Sequence, residues 1–238
     1  MTALTLPKSL LAKSWQTLSY ASLLLGSYQA QADWTFTASV VSNYLFNGVS
    51  QTDKNPAFQP SLNYDFGNGF YAGMWSSNVD YGSGIRLELD GYVGYYTEFS
   101  NGVSVDTALN QYTYHGSHEA SALNFKEVYA KFNYQGTGLN FWYAWDYFGF
   151  GGDHYIVQLN HTFTLNDTWS MYAAVDTSIT GDKSAWNWEG KSNFTHAQLM
   201  FNTQWQGIDV GIGLHTTTLK ERWGDTTVLL TAAKSFSF

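Results

Sequence analysis

The stretch LLTAAKSFSF at residues 229–238, with Val228 before it, decides the fold class. Val228, Leu230, Ala232, Phe236 and Phe238 fall on alternate positions, and most residues between them are small or polar. A period of two predicts a β-strand with one apolar face. Chain ends that no sheet holds usually fray into polar residues, so this end is predicted to be paired within a sheet.

The chain from Asp33 onward repeats this pattern. Runs with a period of two lie at 34–46, 57–66, 70–79, 85–98, 103–114, 123–134, 139–147, 153–164, 168–180, 193–205, 208–219 and 225–238. A tilted strand needs about 9 to 11 residues to cross a bilayer, whereas strands in soluble sheets average roughly 5 to 6. The sequence therefore predicts an all-β protein, a twelve-stranded antiparallel transmembrane β-barrel of the outer-membrane type, over residues 33–238. A lipocalin-like barrel or a β-sandwich is the soluble alternative.

The predicted connections alternate between short and long. Tight turns are expected at 67–69, 100–102, 135–138, 165–167 and 206–207, and longer loops at 47–56, 80–84, 115–122, 148–152, 181–192 and 220–224. Outer-membrane barrels have short periplasmic turns and longer external loops, so both termini are expected in the periplasm. The aromatic residues near strand ends are expected in interfacial girdles: Trp34, Phe66, Phe70, Phe99, Tyr134, Tyr147, Trp169, Trp205 and Phe238.

Composition and charge exclude several classes of protein. The 238 residues include no Cys, which excludes disulfides, thiol catalysis and thiolate metal sites. Lys8 and Lys13 precede an apolar segment and the sequence AQA, which predicts a signal peptide over residues 1–32; a short amphipathic anchor helix is the alternative. Without those residues the chain carries 9 basic and 19 acidic residues, a formal charge of −10, so nucleic acid is not expected as a partner.

The alternation also assigns side chains to the two faces of the barrel wall. In residues 57–66, Phe58 and Leu62 share the predicted lipid face, and Gln59 and Asn63 share the lumen face. Unpaired charges cannot face lipid, so charged residues within strands are assigned to the lumen. These residues are Arg86, Glu88, Asp90, Asp106, Glu127, Lys131, Asp146, Asp176 and Asp209, with Tyr129, Trp142 and Tyr172 as lumen aromatics. Acids outnumber bases there, which predicts a preference for cations; the alternative is that the same charges form structural networks that close the barrel.

Residues 42–81, SNYLFNGVSQTDKNPAFQPSLNYDFGNGFYAGMWSSNVDY, resemble the opening motif of the TorF-like porin family of proteobacterial outer-membrane proteins. The matching residues are Ser42, Tyr44, Gly48, Gly69, Tyr71, Gly73, Trp75, Ser77, Asn78 and Val79. Asn43 stands where the family has Asp, and Asn47 where it has Arg. The resemblance implies a role in transport and implies no catalytic residue. A final strand ending on Phe likewise resembles the signal read by the barrel-assembly machinery, which assigns that role to Phe236 and Phe238.

Catalytic and metal-binding motifs are sparse. The sequence YHGSHE places His115, Ser117, His118 and Glu119 together, but a predicted external loop rarely holds a hydrolytic triad in place. His161, His196 and His215 lie on separate predicted strands. No metal site, cofactor or enzymatic activity is expected. Trp186 and Trp188, in the longest predicted loop, are expected either to recognise a surface partner or to anchor at the membrane surface.

The function predicted from the sequence is that of an outer-membrane porin, giving small polar solutes passive and weakly cation-preferring passage. The expected partners are outer-membrane lipid and lipopolysaccharide, the barrel-assembly machinery during biogenesis, and the solute itself. The first alternative is a non-conducting structural or partner-binding barrel whose lumen is closed by side chains or by residues 47–56. The second is a barrel lipid hydrolase.

Overall fold

The computed structural model describes residues 33–220 and 224–238, which form a closed antiparallel β-barrel of twelve strands. The predicted signal peptide lies outside the described residues. The last strand pairs with the first, from Thr35 opposite Ser237 to Val41 opposite Thr231, which closes the sheet. The strands are β1 Asp33–Val41, β2 Ala57–Phe58 continued by Ser61–Asp65, β3 Phe70–Asn78, β4 Leu87–Glu98, β5 Val103–His115, β6 Phe125–Tyr134, β7 Thr137–Ala144, β8 His154–Thr164, β9 Trp169–Thr180, β10 Asn193–Trp205, β11 Ile208–Thr217 and β12 Thr227–Ser237.

The predicted number of strands and the alternation of their connections are confirmed. β2 is interrupted at Pro60, which has no N–H to donate to its neighbours. Two short 3₁₀ helices, Ala120–Leu123 and Tyr147–Gly149, lie in the long loops. No helix within the described parts of the chain is long and apolar enough to span a membrane.

The two faces of the wall have opposite chemistry, as the alternation predicts. The outward side chains are mostly large and apolar and remain exposed, among them Val40, Phe58, Leu62, Met74, Val93, Leu109, Phe132, Leu159, Ile212, Leu214, Val228 and Leu230. The inward side chains are mostly polar and buried, among them Gln59, Asn63, Ser77, Asn110, Asn140, Asn160 and Asn202. An exposed apolar band around a polar interior is the reverse of a soluble barrel, and only lipid covers such a band favourably.

Eight of the nine aromatic residues predicted for the girdles are exposed near the short-turn end of the barrel: Trp34, Phe66, Phe70, Phe99, Tyr134, Trp169, Trp205 and Phe238. The prediction for Tyr147 is wrong, because this residue is only 2% exposed and lies in a loop that folds over the barrel mouth. The girdle thus surrounds the end at which the described chain begins and ends, where Trp34 and Phe238 exchange backbone hydrogen bonds of 3.1 and 3.0 Å.

The largest difference from the predicted strands is at the first one, which was expected to continue to residue 46. β1 ends at Val41, and residues 42–56, named here the inward loop, leave the wall and fold into the lumen. Leu45–Phe46 and Val49–Ser50 pair within this loop as a small hairpin separate from the barrel sheet. Apolar residues continue on even positions to Tyr44 and Phe46, which is why the sequence pattern did not mark the end of β1.

Candidate functional site in the barrel lumen

The hairpin of the inward loop turns on Asn47 and Gly48. Phe46 pairs with Val49, so the turn has two residues, and both have positive φ, 47° at Asn47 and 79° at Gly48. This is the type I′ arrangement, for which Asn-Gly is the preferred sequence. An Asn-Gly pair flanked by apolar residues was therefore a signal that could have located the hairpin from the sequence.

Hydrogen bonds within the inward loop hold it folded. Asn43 Oδ1 accepts from Ser50 Oγ at 2.6 Å and from Thr52 Oγ1 at 3.2 Å. The backbone N–H of Gln51 donates to the carbonyl of Tyr44 at 2.7 Å. Asn43 is 4% exposed, so these bonds lie away from water. The two Asn residues that replace charges in the resembled motif therefore shape this loop.

Three further contacts attach the inward loop to the barrel wall and a neighbouring loop. Asn47 Nδ2 donates to Asp176 Oδ1 at 2.9 Å. Gly48 lies so close to β10 and β11 that an added Cβ would be 2.5 Å from His196 Cδ2 and 2.5 Å from Thr217 Cγ2. At the opposite side, the hydroxyl of Tyr81 donates to Gln51 Oε1 at 2.5 Å. The loop therefore bridges the lumen.

Gly48→Val is expected to release the hairpin from the wall. A β-branched residue in the left-handed region costs about 1–2 kcal/mol, and the overlap with His196 costs about 1–3 kcal/mol more. Because the chain has no Cys, a single Leu45→Cys reporter can be labelled with a maleimide in the folded barrel. Leu45 is 8% exposed, and labelling should become roughly tenfold faster or more, since 1.4 kcal/mol is a factor of about 10.

Gly82→Val is the matched control for this variant. Gly82 has φ +73°, and an added Cβ there meets nothing within 4 Å. It therefore introduces the same backbone strain without the overlap. Equal labelling rates in the two variants would contradict the packing role of Gly48.

The wall facing the inward loop carries a chain of buried hydrogen bonds, named here the aspartate–histidine relay. Asp176 Oδ2 lies 2.8 Å from His196 Nδ1, and His196 Nε2 lies 3.0 Å from His215 Nδ1. The imidazole rings stack, with centroids 5.2 Å apart. His196 and His215, which the sequence left on separate strands, are thus brought together by the register of β10 and β11, whereas His161 lies elsewhere and bonds to Thr137.

The opposite wall carries three buried acids, Glu88, Asp90 and Glu127, named here the carboxylate cluster. They are 2%, 6% and 0% exposed and close enough to interact electrostatically. Tyr112 donates its hydroxyl to Glu127 Oε1 at 2.9 Å, and Tyr114 donates to Glu88 Oε1 at 3.2 Å. Phenol donors partly replace the water that these carboxylates lose on burial.

A second group of polar side chains crosses the lumen nearer the short-turn end. The Tyr71 hydroxyl lies 2.5 Å from Asp106 Oδ1 and 2.6 Å from the Tyr129 hydroxyl, which in turn lies 3.1 Å from Asp106 Oδ2. The Lys131 ammonium lies 4.1 Å from the ring centroid of Tyr129 and 5.8 Å from that of Trp142. A cation over aromatic rings retains favourable electrostatics away from bulk water.

The long loops close the other end with an aromatic cap, defined as Tyr81, Tyr114, Tyr147, Phe148, Trp186 and Trp188. Tyr147 stacks on His154 at 3.9 Å between centroids, and Trp186 stacks on Phe148 at 6.1 Å. Burial raises the pKa of the Tyr81 and Tyr147 phenols well above the usual value, so both stay neutral. Trp188 is 9% exposed and packs over the lumen, whereas Trp186 is half-buried at the edge of the cap.

Most of the charges predicted to line the lumen do so. Glu88, Asp90, Glu127, Lys131 and Asp176 are buried there with Tyr129, Trp142 and Tyr172, and Asp106 is half-buried. Asp209 lies near the short-turn end and accepts from Gln204 Nε2 at 2.8 Å. Arg86 and Asp146 lie outside the strands: Arg86 is exposed before β4, and Asp146 accepts from the backbone of Gly151 at 2.7 Å. The predicted strands were two residues too long at the start of β4 and three residues too long at the end of β7.

The predicted motif residues divide between the inward loop and β3. Tyr71, Trp75 and Ser77 face the lumen, and Trp75 packs against Tyr44 at 5.4 Å between ring centroids. Gly73 leaves room for the ring of Tyr92, which a Cβ would overlap. Gly69 lies in the turn before β3 and has φ 90°. Asn78 Oδ1 accepts from the backbone N–H of Phe58, and Ser42 Oγ accepts from the backbone N–H of Leu230.

The residues considered for hydrolysis do not form a catalytic arrangement. Ser117 Oγ has no hydrogen-bond partner in the described parts of the chain, and His115 bonds to Thr113 Oγ1 at 3.0 Å. Asp153, next to the buried His154, accepts from the Tyr155 hydroxyl at 2.5 Å. Within residues 33–220 and 224–238, no group of three or more His, Asp or Glu has the geometry of a metal site.

The inward loop and the relay together line a partly open cavity of about 50 Å³ in the lumen. Asn43, Tyr44 and Gly48 form its roof, and Trp142, Asp176 and His215 lie in its wall. By volume it holds about three to five water molecules. It is the place where the loop motif, the lumen acids and the converged histidines meet.

Comparison with known proteins agrees with this architecture. The KdgM porin is 10% identical to this chain, with a TM-score of 0.53. A second structure of this porin, in complex with disordered oligogalacturonate, is 9% identical, with a TM-score of 0.52. Each comparison covers 87% of this chain and 99% of the porin. The NanC porin is 11% identical, with a TM-score of 0.52 over 84% of this chain and 97% of NanC. At these identities the likeness shows the fold alone.

No curated protein matches the chain. Neither the porin structures nor the matching family model bears the TorF-like description, so that resemblance stays a prediction. The family model covers residues 27–236, almost the whole length of the barrel. The chain belongs to this family, a bacterial protein family described as of unknown function (Gcw_chp).

Proposed function

We propose that this protein is an outer-membrane channel for small polar solutes, and that the inward loop sets its narrowest section. The observation that carries the proposal is the position of residues 42–56. The strands enclose a polar lumen, and the obstruction across it comes from a loop and not from the strands themselves. A barrel of twelve strands is wider than the eight-stranded kind whose own side chains fill the interior. Because the loop crosses this wider lumen, its movement is expected to change the width of the channel.

We propose a preference for cations as part of the same function. The described lumen carries five acids, namely Glu88, Asp90, Asp106, Glu127 and Asp176, against Lys131 as the only Lys or Arg among its buried residues. Rings of carboxylates in a low-dielectric channel attract cations and repel anions. The resemblance to the TorF-like porin family supports transport but names no solute.

The experiment that tests both statements is single-channel recording of the refolded mature chain in a planar bilayer with a KCl gradient. Stable current steps with a reversal potential of cationic sign are expected. In Asp90→Asn/Glu127→Gln, the reversal potential should move toward zero, because two charges of the carboxylate cluster are removed while size and shape are kept.

Asp167→Asn/Asp182→Asn is the matched control, since it removes two charges from exposed loop positions outside the lumen. Its reversal potential should equal that of the unchanged chain. Similar shifts in the two double variants would show that total charge, and not the carboxylate cluster, sets the preference.

A second candidate function is that of a non-conducting barrel that binds a partner. The observation that favours it is the dense lumen, in which the aromatic cap, the carboxylate cluster and the inward loop are all packed. A folded barrel that passes no current at any voltage would favour this candidate over a channel.

The orientation in the membrane is also a proposal. The girdle of exposed aromatic residues and the Trp34–Phe238 pair lie at the short-turn end, which supports a periplasmic location for that end. Phe236 and Phe238 are proposed as the signal for the barrel-assembly machinery, and lipid and lipopolysaccharide as the surroundings of the outer face. In support, Phe236 lies on the closing strand and packs on Phe36 with centroids 6.3 Å apart.

A further inference from the structure

The cavity beneath the inward loop has more hydrogen-bond acceptors than donors. Gln59 Oε1, Gln198 Oε1 and His215 Nε2 are buried and have no partner among the described residues. All three residues line the cavity and are 1%, 7% and 2% exposed. Gln59 Nε2 is directed at Ser77 Oγ, 3.4 Å away, which leaves its oxygen for the cavity.

One arrangement of protons in the aspartate–histidine relay leaves the outer nitrogen of His215 as an acceptor. With both imidazoles neutral, His196 donates from Nδ1 to Asp176, so its Nε2 accepts from Nδ1 of His215. This tautomer is assigned from the hydrogen-bond network. It leaves the lone pair of His215 Nε2 free to accept from an occupant of the cavity.

The cavity wall carries a negative charge in addition to these acceptors. Asp176 has a side chain that is 0% exposed and is the one carboxylate among the described lining residues, which include no Lys or Arg. Tyr172 presents its aromatic ring to the same space, and such rings attract cations; the Trp142 ring also lines it and has the Lys131 ammonium 5.8 Å from its centroid. A buried negative charge with unmet acceptors is best satisfied by a cation that carries N–H donors.

We propose that this cavity binds a small ammonium-type cation, either ammonium or a short primary alkylamine, with N–H groups donated to Gln59, Gln198 and His215. A volume of about 50 Å³ admits only a few non-hydrogen atoms. An imidazole nitrogen among the acceptors favours an N–H donor over an alkali cation, which prefers oxygen. The inference deepens the proposed function by naming a solute class, and it rests on that function only for passage, because binding needs no conduction.

The test is ¹⁵N NMR of the refolded barrel in micelles with labelled histidine, titrated with methylammonium chloride. A saturable shift of the His215 Nε2 signal is expected, with no comparable shift from potassium chloride at equal ionic strength. Gln198→Leu, which removes one acceptor, should weaken the apparent affinity roughly tenfold or more. Asn202→Leu is the matched control: it lies in the lumen on the same strand but does not line the cavity, and should leave the affinity unchanged.

Three results would overturn the proposal: no saturable shift, which would mean that only water occupies the cavity; an equal shift with potassium; or equal weakening in the two variants. Each is distinguishable from failure of the proposed function. Saturable binding in a barrel that passes no current would refute the channel and keep the site, and current without binding would refute the site alone.

Discussion

Replacement of residues 43–55 by a short Gly-Ser linker is expected to raise the single-channel conductance of the refolded barrel several-fold. The inward loop occupies lumen space that the strands leave open, and ions pass faster through a wider constriction. The barrel does not need the loop for closure, because Val41 and Ala57 are already paired where the loop leaves and rejoins the wall. Planar-bilayer recording measures the change directly.

Asn47→Ala is the matched control for this replacement. It removes the hydrogen bond to Asp176 but retains the loop, so openings should become more frequent without becoming larger. Heat-dependent migration on gels checks that both variants fold. If the linker variant folds and its step size equals that of the unchanged chain, the constriction lies in the strands or the aromatic cap, and the proposed role of the loop is wrong.

Gly94→Ala should destabilise the barrel far more than a Gly-to-Ala change normally does. The new methyl group would overlap the ring of Tyr71 and lie 2.8 Å from the carbonyl oxygen of Thr107. Tyr71 would have to leave Asp106 and Tyr129, its partners at 2.5 and 2.6 Å. Overpacking costs about 1–3 kcal/mol, and loss of the Tyr71 hydrogen bond to the half-buried Asp106 costs about 1 kcal/mol more. Urea unfolding in lipid vesicles measures the loss.

Gly91→Ala, in the same strand, is the control that measures the effect of a Gly-to-Ala change on β-strand propensity alone. An added Cβ at Gly91 meets nothing within 4 Å, so its free energy of unfolding should change by no more than about 0.5 kcal/mol. Equal losses in the two variants would show that Tyr71 can move without cost, and that the group around Asp106 does not stabilise the lumen.

The parts of this fold that follow local rules were predictable from the sequence. Alternation within Phe58–Phe66 placed Gln59 and Asn63 in the lumen and Leu62 toward lipid, because successive side chains of a strand point to opposite faces. Turn residues such as Gln206 and Gly207 separated the strands, since positive φ is tolerated there. These two local rules were enough to predict the number of strands and the lengths of their connections. They were also enough to place Glu88, Asp90, Glu127 and Asp176 in the lumen.

The candidate site depended on contacts between residues far apart in the chain. His196 pairs with Thr217 and His215 with Gln198, so the two imidazoles become diagonal neighbours only once the register of β10 and β11 is set. Trp186 and Trp188 were expected at the protein or membrane surface, but in the structure they pack on other aromatic residues over the lumen. Neither outcome has a signal within any single stretch of sequence.

The sequence by itself determined that this chain forms a twelve-stranded barrel with a polar interior, since period-two patterning and turn chemistry act within a few residues of each other. Only the tertiary structure decided what fills that interior. The hairpin at Asn47–Gly48 folds readily by local rules, but whether it points outward or into the lumen depends on Asp176, His196 and Thr217, which lie more than a hundred residues away. Closure of the barrel brings these partners together, and the site exists only after that closure.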